Sequence, residues 1–246
     1  MTNISEHTSD EWNSRTLRLI GEQGVKALSE LRVLIAGVGG VGGYVAEMLA
    51  RSGAGHLTLI DSDTVAPSNL NRQIIALTGQ TGQPKVALFK ERIAHINPEC
   101  EVTAVEQYLT ADNVEAMLAP GFDFVADCID TVAPKVALLA ACKARKINVI
   151  SSMGAGGRMD PTRGQYADLW ETQQDGLARA VREAFKRRGR RPSIKVVYSS
   201  EPPRSRSLIV EQNRDNKRTG YGTLATIPAL FGIYMASYII NKSITS

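Results

Sequence analysis

Apolar and polar positions along the chain change period in a regular order, and that order predicts a layered α/β fold. The run Val33-Leu34-Ile35 is continuously apolar, as a strand buried on both faces requires, and it stops at Gly37-Val38-Gly39-Gly40-Val41-Gly42. A helix-patterned segment comes next, and a second apolar run ends at Asp61. Further strands are predicted over 101–105, 122–129 and 147–151. Helices are predicted from Lys85, behind Pro84, to Asn97-Pro98, then over 111–118 and 134–145. Strands and helices alternating at this spacing argue for a doubly wound, Rossmann-like, mostly parallel sheet with helices on both faces.

Both ends of the chain depart from that alternation. Residues 1–30 are amphipathic and helical in pattern, with Trp12, Leu17, Leu19, Ile20, Val25 and Leu28 among Arg15, Arg18 and Lys26. They form a helical arm that either covers the sheet or delivers an arginine. Beyond Ser152, segments 165–170, 194–199 and 207–210 read as strands with turn-rich flanks, an antiparallel continuation of the sheet. A helix over 176–188 lies between the first two. No charge occurs between Arg218 and Lys242, but Thr219, Thr223, Thr226, Pro228 and Ser237 interrupt the segment. Its short apolar part favours a buried terminal helix over a membrane span. Residues 31–246 are thus read as one domain with a basic helical insertion near 171–192.

Composition narrows this picture at two points. The chain has 246 residues, 43% hydrophobic and 22% charged, ordinary for a globular domain, with a formal net charge of +4. The positive charge is unevenly placed: Arg179, Arg182, Lys186, Arg187, Arg188, Arg190 and Arg191 fall together, with Glu183 as the acid among them. Such a segment is either a solvated helix face or a field suited to phosphates. Cys100, Cys128 and Cys142 form no CxxC pair and no even-numbered framework, which fits a reducing, cytoplasmic compartment. The acidic N-terminus (Glu6, Asp10, Glu11) has no signal-peptide pattern.

The chemistry centres on the glycine turn. Gly37 permits a tight turn, Gly39 in the run Gly39-Gly40 lets backbone N–H groups approach phosphate, and Gly42 lets helix and strand pack closely. Phosphates would then sit at the positive end of the helix dipole, with Asp61 placed to accept from a ribose. Alone, this favours a nicotinamide or flavin dehydrogenase. The residues beyond Asp61 point elsewhere. A long polar loop carries Asp63, Asn69, Asn71, Arg72 and Gln73, and Lys85 comes soon after. A guanidinium and an ammonium converging near a nucleotide suit a triphosphate whose charge is redistributed during reaction. Asp130, at the end of an apolar run, falls at the carboxyl edge of the sheet, where a carboxylate beside phosphates is a natural magnesium ligand.

GVGGVGG, the Asp61-x-Asp63-Thr64-Val65-x-x-Ser68-Asn69-Leu70-Asn71-Arg72-Gln73 loop, Gly82-Gln83-Pro84-Lys85 and Asp127-Cys128-Ile129-Asp130-Thr131 together resemble the ubiquitin-activating superfamily. Gly222, Gly232 and Ala236 also match its terminal pattern. Within it, the chain is most similar to the tRNA threonylcarbamoyladenosine dehydratases. The likeness rests on Arg18-Leu19-Ile20-Gly21-Glu22, Ile96-Asn97-Pro98-Glu99-Cys100, Gly154-Ala155-Gly156-Gly157 with Asp160-Pro161-Thr162, and Tyr198-Ser199-Ser200-Glu201. The resemblance implies binding of ATP with magnesium and transfer of AMP to a carboxylate. Asn69, Arg72 and Lys85 would grip the triphosphate, and Asp130 would hold Mg2+. Arg18 would reach the ATP of a second copy across a homodimer interface. A monovalent cation, Na+ or K+, is implied without assignable ligands.

Thiols separate the branches of that superfamily. Ubiquitin-type members pass the acyl group to a cysteine after the sheet, yet no Cys lies beyond Cys142. Cys128 is read as part of a strand and Cys142 as part of a helix, positions of inert small hydrophobes. Cyclisation of threonylcarbamoyladenosine in tRNA needs no thiol, because the substrate's own carbamoyl nitrogen attacks the activated carboxylate. The basic segment fits such a tRNA substrate. Two rivals remain at this point: an adenylating enzyme for the C-terminal glycine of a sulfur-carrier or ubiquitin-like protein, and a non-catalytic nucleotide-binding subunit.

Overall fold

A computed structural model describes residues 12–213 and 216–245. Seven strands form one sheet in the order β3-β2-β1-β4-β5-β7-β6. They are β1 (Arg32–Ala36), β2 (His56–Ile60), β3 (Glu101–Val105), β4 (Phe124–Asp127), β5 (Asn148–Ser152), β6 (Gly164–Asp168) and β7 (Lys195–Ser199). All neighbours pair in parallel except β6 with β7. The helices are α1 (Ser14–Ser29), α2 (Gly42–Ser52), α3 (Lys85–Ile96), α4 (Val114–Leu118), α5 (Val132–Ala144), α6 (Gly176–Arg187) and α7 (Thr226–Ile244).

Strand alternation divides the core into two layers. Val33 and Ile35 of β1 join Phe124 and Ala126 of β4 against α2, α3 and α7. Leu34, Ala36 and Val125 point the other way, against α4, α5 and α6. Both faces are covered, which explains why the strands read as continuous apolar runs. On the first face, Phe231, Met235 and Ile239 of α7 are buried. Gly232 there leaves no room for a side chain against the Val41 carbonyl and Tyr44 of α2. No helix among the described residues is long and apolar enough to cross a membrane.

The C-terminal part differs from expectation in three ways. β7 runs parallel to β5, so the continuation is antiparallel only at β6. Direction depends on the crossover through α6, which local pattern does not encode. The predicted strand over 165–170 ends at Asp168, whose carboxylate caps a 3-10 turn, Leu169–Glu171, by accepting from the Trp170 N–H. The segment after Ser207 lies outside the main sheet. β8 (Leu208–Asn213) pairs with β9 (Asn216–Tyr221) as a separate hairpin. At the other end, α1 is bent at Gly21, which has φ 71 and ψ 175; the part of the predicted arm before Trp12 lies outside the described residues. Helix 111–118 is confined to Val114–Leu118, and α5 is shifted to Val132–Ala144.

Gly42 sets the spacing between α2 and β1, since a Cβ there would overlap the Gly37 carbonyl oxygen. That neighbour is backbone and cannot swing aside. Gly42→Ala is therefore expected to destabilise the fold by about 1–3 kcal/mol or more, read as a lower urea midpoint. A wild-type midpoint would show that the helix can move off the strand freely.

Candidate active site

A cleft of about 760 Å³ opens at the carboxyl edge of the sheet between β1 and β4, where the strand order reverses. β1 ends at Ala36 and the chain turns at Gly37, whose φ of 85 favours glycine. A Cβ there would lie 3.2 Å from the Cys128 carbonyl oxygen, so the two strand ends approach at backbone distance. Gly37, Gly39, Gly40 and Val41 line the cleft at the N-terminus of α2, whose dipole favours anions there. Gly42 is not part of the lining; its role is the helix–strand contact.

Asp61 follows β2 and is engaged by backbone on both oxygens. Its Oδ2 accepts the Val38 N–H at 2.8 Å and its Oδ1 accepts the Asp63 N–H at 2.9 Å. One carboxylate thus holds both the glycine turn and the start of the long loop. That loop closes on itself through the Val65 N–H to the Gln83 carbonyl and the Lys85 N–H to the Asp63 carbonyl. Asn69 is buried, its Oδ1 accepting the Ala66 N–H. Arg72 lies on the cleft wall, with Nη1 donating to the Ser68 carbonyl and to Asn71 Oδ1. The Gln73 oxygen is buried at the cleft and has no hydrogen-bond partner among the described residues.

Two of the expected ligand contacts are otherwise engaged. Asp63 lines the cleft, but its Oδ2 pairs with Lys85 Nζ at 2.8 Å and so orients that cation. Asn71 lies outside the lining and donates from Nδ2 to the Thr223 carbonyl, tying the loop to the segment before α7. Arg72, Lys85 and the α2 N-terminus all line the same cleft, a set of positive groups suited to a polyphosphate.

Asp130 also lines the cleft and is exposed, with Oδ1 accepting from Thr131 Oγ1. Beneath it lies a group that the apolar runs conceal. Asp127, Lys135 and Ser151 are completely buried. Asp127 Oδ2 accepts from Lys135 Nζ at 2.7 Å and from Ser151 Oγ at 2.6 Å, while Lys135 also donates to Ser151 at 3.0 Å. Asp127 Oδ1 accepts the Ile129 N–H. The triad therefore ties β4, β5 and α5 together directly under the turn that presents Asp130. Opposite charges at core positions of β4 and α5 were the signal that could have revealed it.

The second wall is made by Met153, Gly154, Ala155 and Gly156 after β5, with Leu177 and Thr223. Asp175 fixes it: Oδ2 accepts the Gly154 N–H and pairs with buried Arg158, and Oδ1 caps α6 at the Ala178 N–H. Arg158 also donates to the Gly154, Gln174 and Glu201 carbonyls. α6 thus begins at the cleft. Cys128 is not inside β4, as expected, but just past its end and on the cleft wall. Burial, with a smaller contribution from Asp127, raises its thiol pKa far above the usual range. Burial also pushes Cys100 up to about 11 and Cys142 up to about 12. None of the three is a thiolate at neutral pH.

The remaining expected residues are dispersed. Arg18 is exposed on α1, outside this chain's cleft. Arg182 is half-buried and donates to the Leu169 and Thr172 carbonyls and to Thr172 Oγ1, so it braces the insertion rather than facing phosphate. Arg191 stacks 4.9 Å from the Trp170 ring centroid. Arg179, Lys186, Arg187, Arg188 and Arg190 are exposed.

Comparison with known proteins is decisive at this point. The model of the ThiF family matches residues 13–245. The chain belongs to the ThiF family. The tRNA threonylcarbamoyladenosine dehydratase of Bacillus subtilis is 39% identical, covering 92% of this chain and 92% of its own. That of Escherichia coli is 38% identical, covering 95% of each. The crystal structure of the E. coli enzyme in complex with ATP matches with a TM-score of 0.87, covering 96% of each chain. This ThiF-family chain therefore has the expected α/β fold from α1 to α7.

Two outcomes are expected of these buried groups. Lys135→Met strands the Asp127 carboxylate and should cost about 3–5 kcal/mol in urea denaturation. Adding Asp127→Asn should recover part of that loss, and a single variant as stable as wild type would contradict the ion pair. The thiols are expected to resist iodoacetamide at pH 7.5 in the folded protein and to react in urea, followed by mass spectrometry. Rapid labelling of native Cys128 would contradict its raised pKa.

Proposed function

We propose that this chain is an ATP-dependent dehydratase that adenylates the threonine carboxylate of threonylcarbamoyladenosine in tRNA and promotes its cyclisation. The observation that carries this reading is the similarity over nearly the whole chain to dehydratases of that name, one of them in complex with ATP. The cleft supports it. Gly37, Gly39, Gly40 and the α2 N-terminus hold the phosphates, and Asp61 meets the ribose while bracing the glycine turn. Arg72 and Lys85 stabilise charge developing on departing pyrophosphate as the carboxylate attacks the α-phosphorus. Asn69 and Gln73 shape the loop around the triphosphate.

Among the described residues, no group of three or more His, Cys, Asp or Glu is placed to hold a metal ion. Of the carboxylates lining the cleft, Asp61 holds the glycine turn and Asp63 pairs with Lys85, so Asp130 is the one that fits magnesium held mainly by phosphate oxygens and water. When bound, the ion neutralises phosphate charge. A sodium or potassium ion belongs to the same reading without an assigned ligand set.

Once the acyl-adenylate forms, the carbamoyl nitrogen attacks its carbonyl carbon. A five-membered ring closes, a proton leaves the nitrogen, and AMP departs with one former carboxylate oxygen. The attack is intramolecular, with an effective molarity on the order of 10⁵ M or more. No protein thiol is required, in keeping with three cysteines held as thiols. Arg18, away from its own cleft, fits a homodimer in which it reaches the ATP of a second copy. The cytoplasm, where tRNA is modified, is the matching compartment; a sulfur-transfer or carrier protein is the partner required only by the rival reading.

The test is incubation with ATP, magnesium and either modified tRNA or a carrier protein, following AMP and product mass. AMP should depend on the tRNA, whose mass should fall by one water. Arg72→Ala or Lys85→Ala should each lower kcat by about 10²–10³-fold while tRNA affinity is retained. AMP formed with carrier but not with tRNA would overturn the assignment.

A further inference from the structure

The basic segment and the cleft lie at opposite ends of one helix. α6 begins beside the cleft, where Asp175 holds Gly154 and Leu177 joins the wall. It runs 12 residues away from it, about 18 Å at the α-helical rise. Lys186, Arg187, Arg188 and Arg190 are exposed at and beyond its far end. The turn after it is anchored there, because Trp170 Nε1 donates to the Pro192 carbonyl. Asp168, at the end of β6, lies opposite Lys195 where β7 starts.

A second element delivers charge to the same edge. β5 and β7 are parallel, with Ile150 opposite Lys195. The residues entering β5 therefore lie beside those entering β7. α5, which packs against α6, ends there, and Lys143 and Lys146 are exposed. Lys146 takes the left-handed conformation, φ 57, and the Ile147 N–H closes the helix end on the Cys142 carbonyl. The backbone presenting these lysines is thus defined by hydrogen bonds.

Among the described residues, Lys143, Lys146, Lys186, Arg187, Arg188 and Arg190 form no ion pair. Three nearby acids, Asp168, Glu171 and Glu115, are engaged. Asp168 accepts from Ser193 Oγ, the Ile194 N–H and the Trp170 N–H. Glu171 accepts the Asp168 N–H, and Glu115 pairs with Arg145 at 2.7 Å. Glu183 lies exposed nearly one turn before Lys186.

We propose that the amino edge of the sheet is an RNA-docking surface built jointly by the C-terminal ends of α5 and α6, remote from the cleft. Cations spread over two helix ends match phosphates spaced along a folded nucleic acid better than a single small anion. The surface holds the body of the tRNA, while the modified nucleoside reaches round to the cleft. This rests on the tRNA reading above and adds Lys143 and Lys146 to it.

The test is a tRNA titration over a salt series with wild type, Lys143→Glu/Lys146→Glu and the milder Lys143→Gln/Lys146→Gln, with ATP affinity and anionic vesicle binding measured alongside. The charge-reversed variant should bind tRNA about tenfold or more weakly at low salt, with a log–log salt slope shallower by about one to two. The neutral variant should fall between, and both should bind ATP as wild type does. If wild type binds tRNA and both variants match it in affinity and slope, the surface is overturned and the dehydratase reading stands. If wild type binds vesicles but not tRNA, both are overturned.

Discussion

Between Gly42 of α2 and the carbonyl of Gly37 there is no room for a methyl group, and the geometry of the site depends on that contact. It draws the helix onto the end of β1, so the unpaired N–H groups and positive end of α2 face the crevice between β1 and β4. Asp61 then completes the turn by accepting from Val38 on one oxygen and Asp63 on the other. The backbone geometry proposed to cradle phosphate is therefore built before any ligand arrives, from groups that cannot rotate away. Preorganised donors of this kind stabilise developing negative charge without reorganisation during the reaction.

Buried charge maintains the rest of the cleft. The Asp127–Lys135–Ser151 triad links two strands and a helix under the turn carrying Asp130, and Arg158–Asp175 links the opposite wall to the start of α6. Desolvation makes such pairs a poor source of net stability, but removing one member is costly, so each pair admits few alternative arrangements of its neighbours. Their placement on both sides of the cleft indicates that what they fix is geometry. The cleft wall is held from both flanks, and α6 is mechanically joined to one of them.

Residues directly after strand ends were legible in the amino-acid order. Gly37, Asp61 and Asp130 each sit just past an apolar run, so their place at the carboxyl edge needed only the rule that parallel strands end on one side. The place of Arg72 and Lys85 at the cleft was legible, though not the pairing of Asp63 with Lys85. Asn71 looked like a ligand contact because its amide is polar and near Arg72, yet its partner is Thr223, distant in sequence. The direction of β7 shares that cause. Each depends on contacts between distant segments, to which local periodicity is blind.

In the proposed reaction the cleft joins the substrate carboxylate to the α-phosphorus of ATP and then releases that oxygen with AMP. The most direct measurement uses tRNA whose threonylcarbamoyladenosine carboxylate carries ¹⁸O, with mass spectrometry of the AMP formed in one turnover. With both carboxylate oxygens labelled, the AMP should carry one ¹⁸O atom and the cyclised tRNA should retain the other. Unlabelled AMP formed together with cyclised product would contradict activation through an acyl-adenylate.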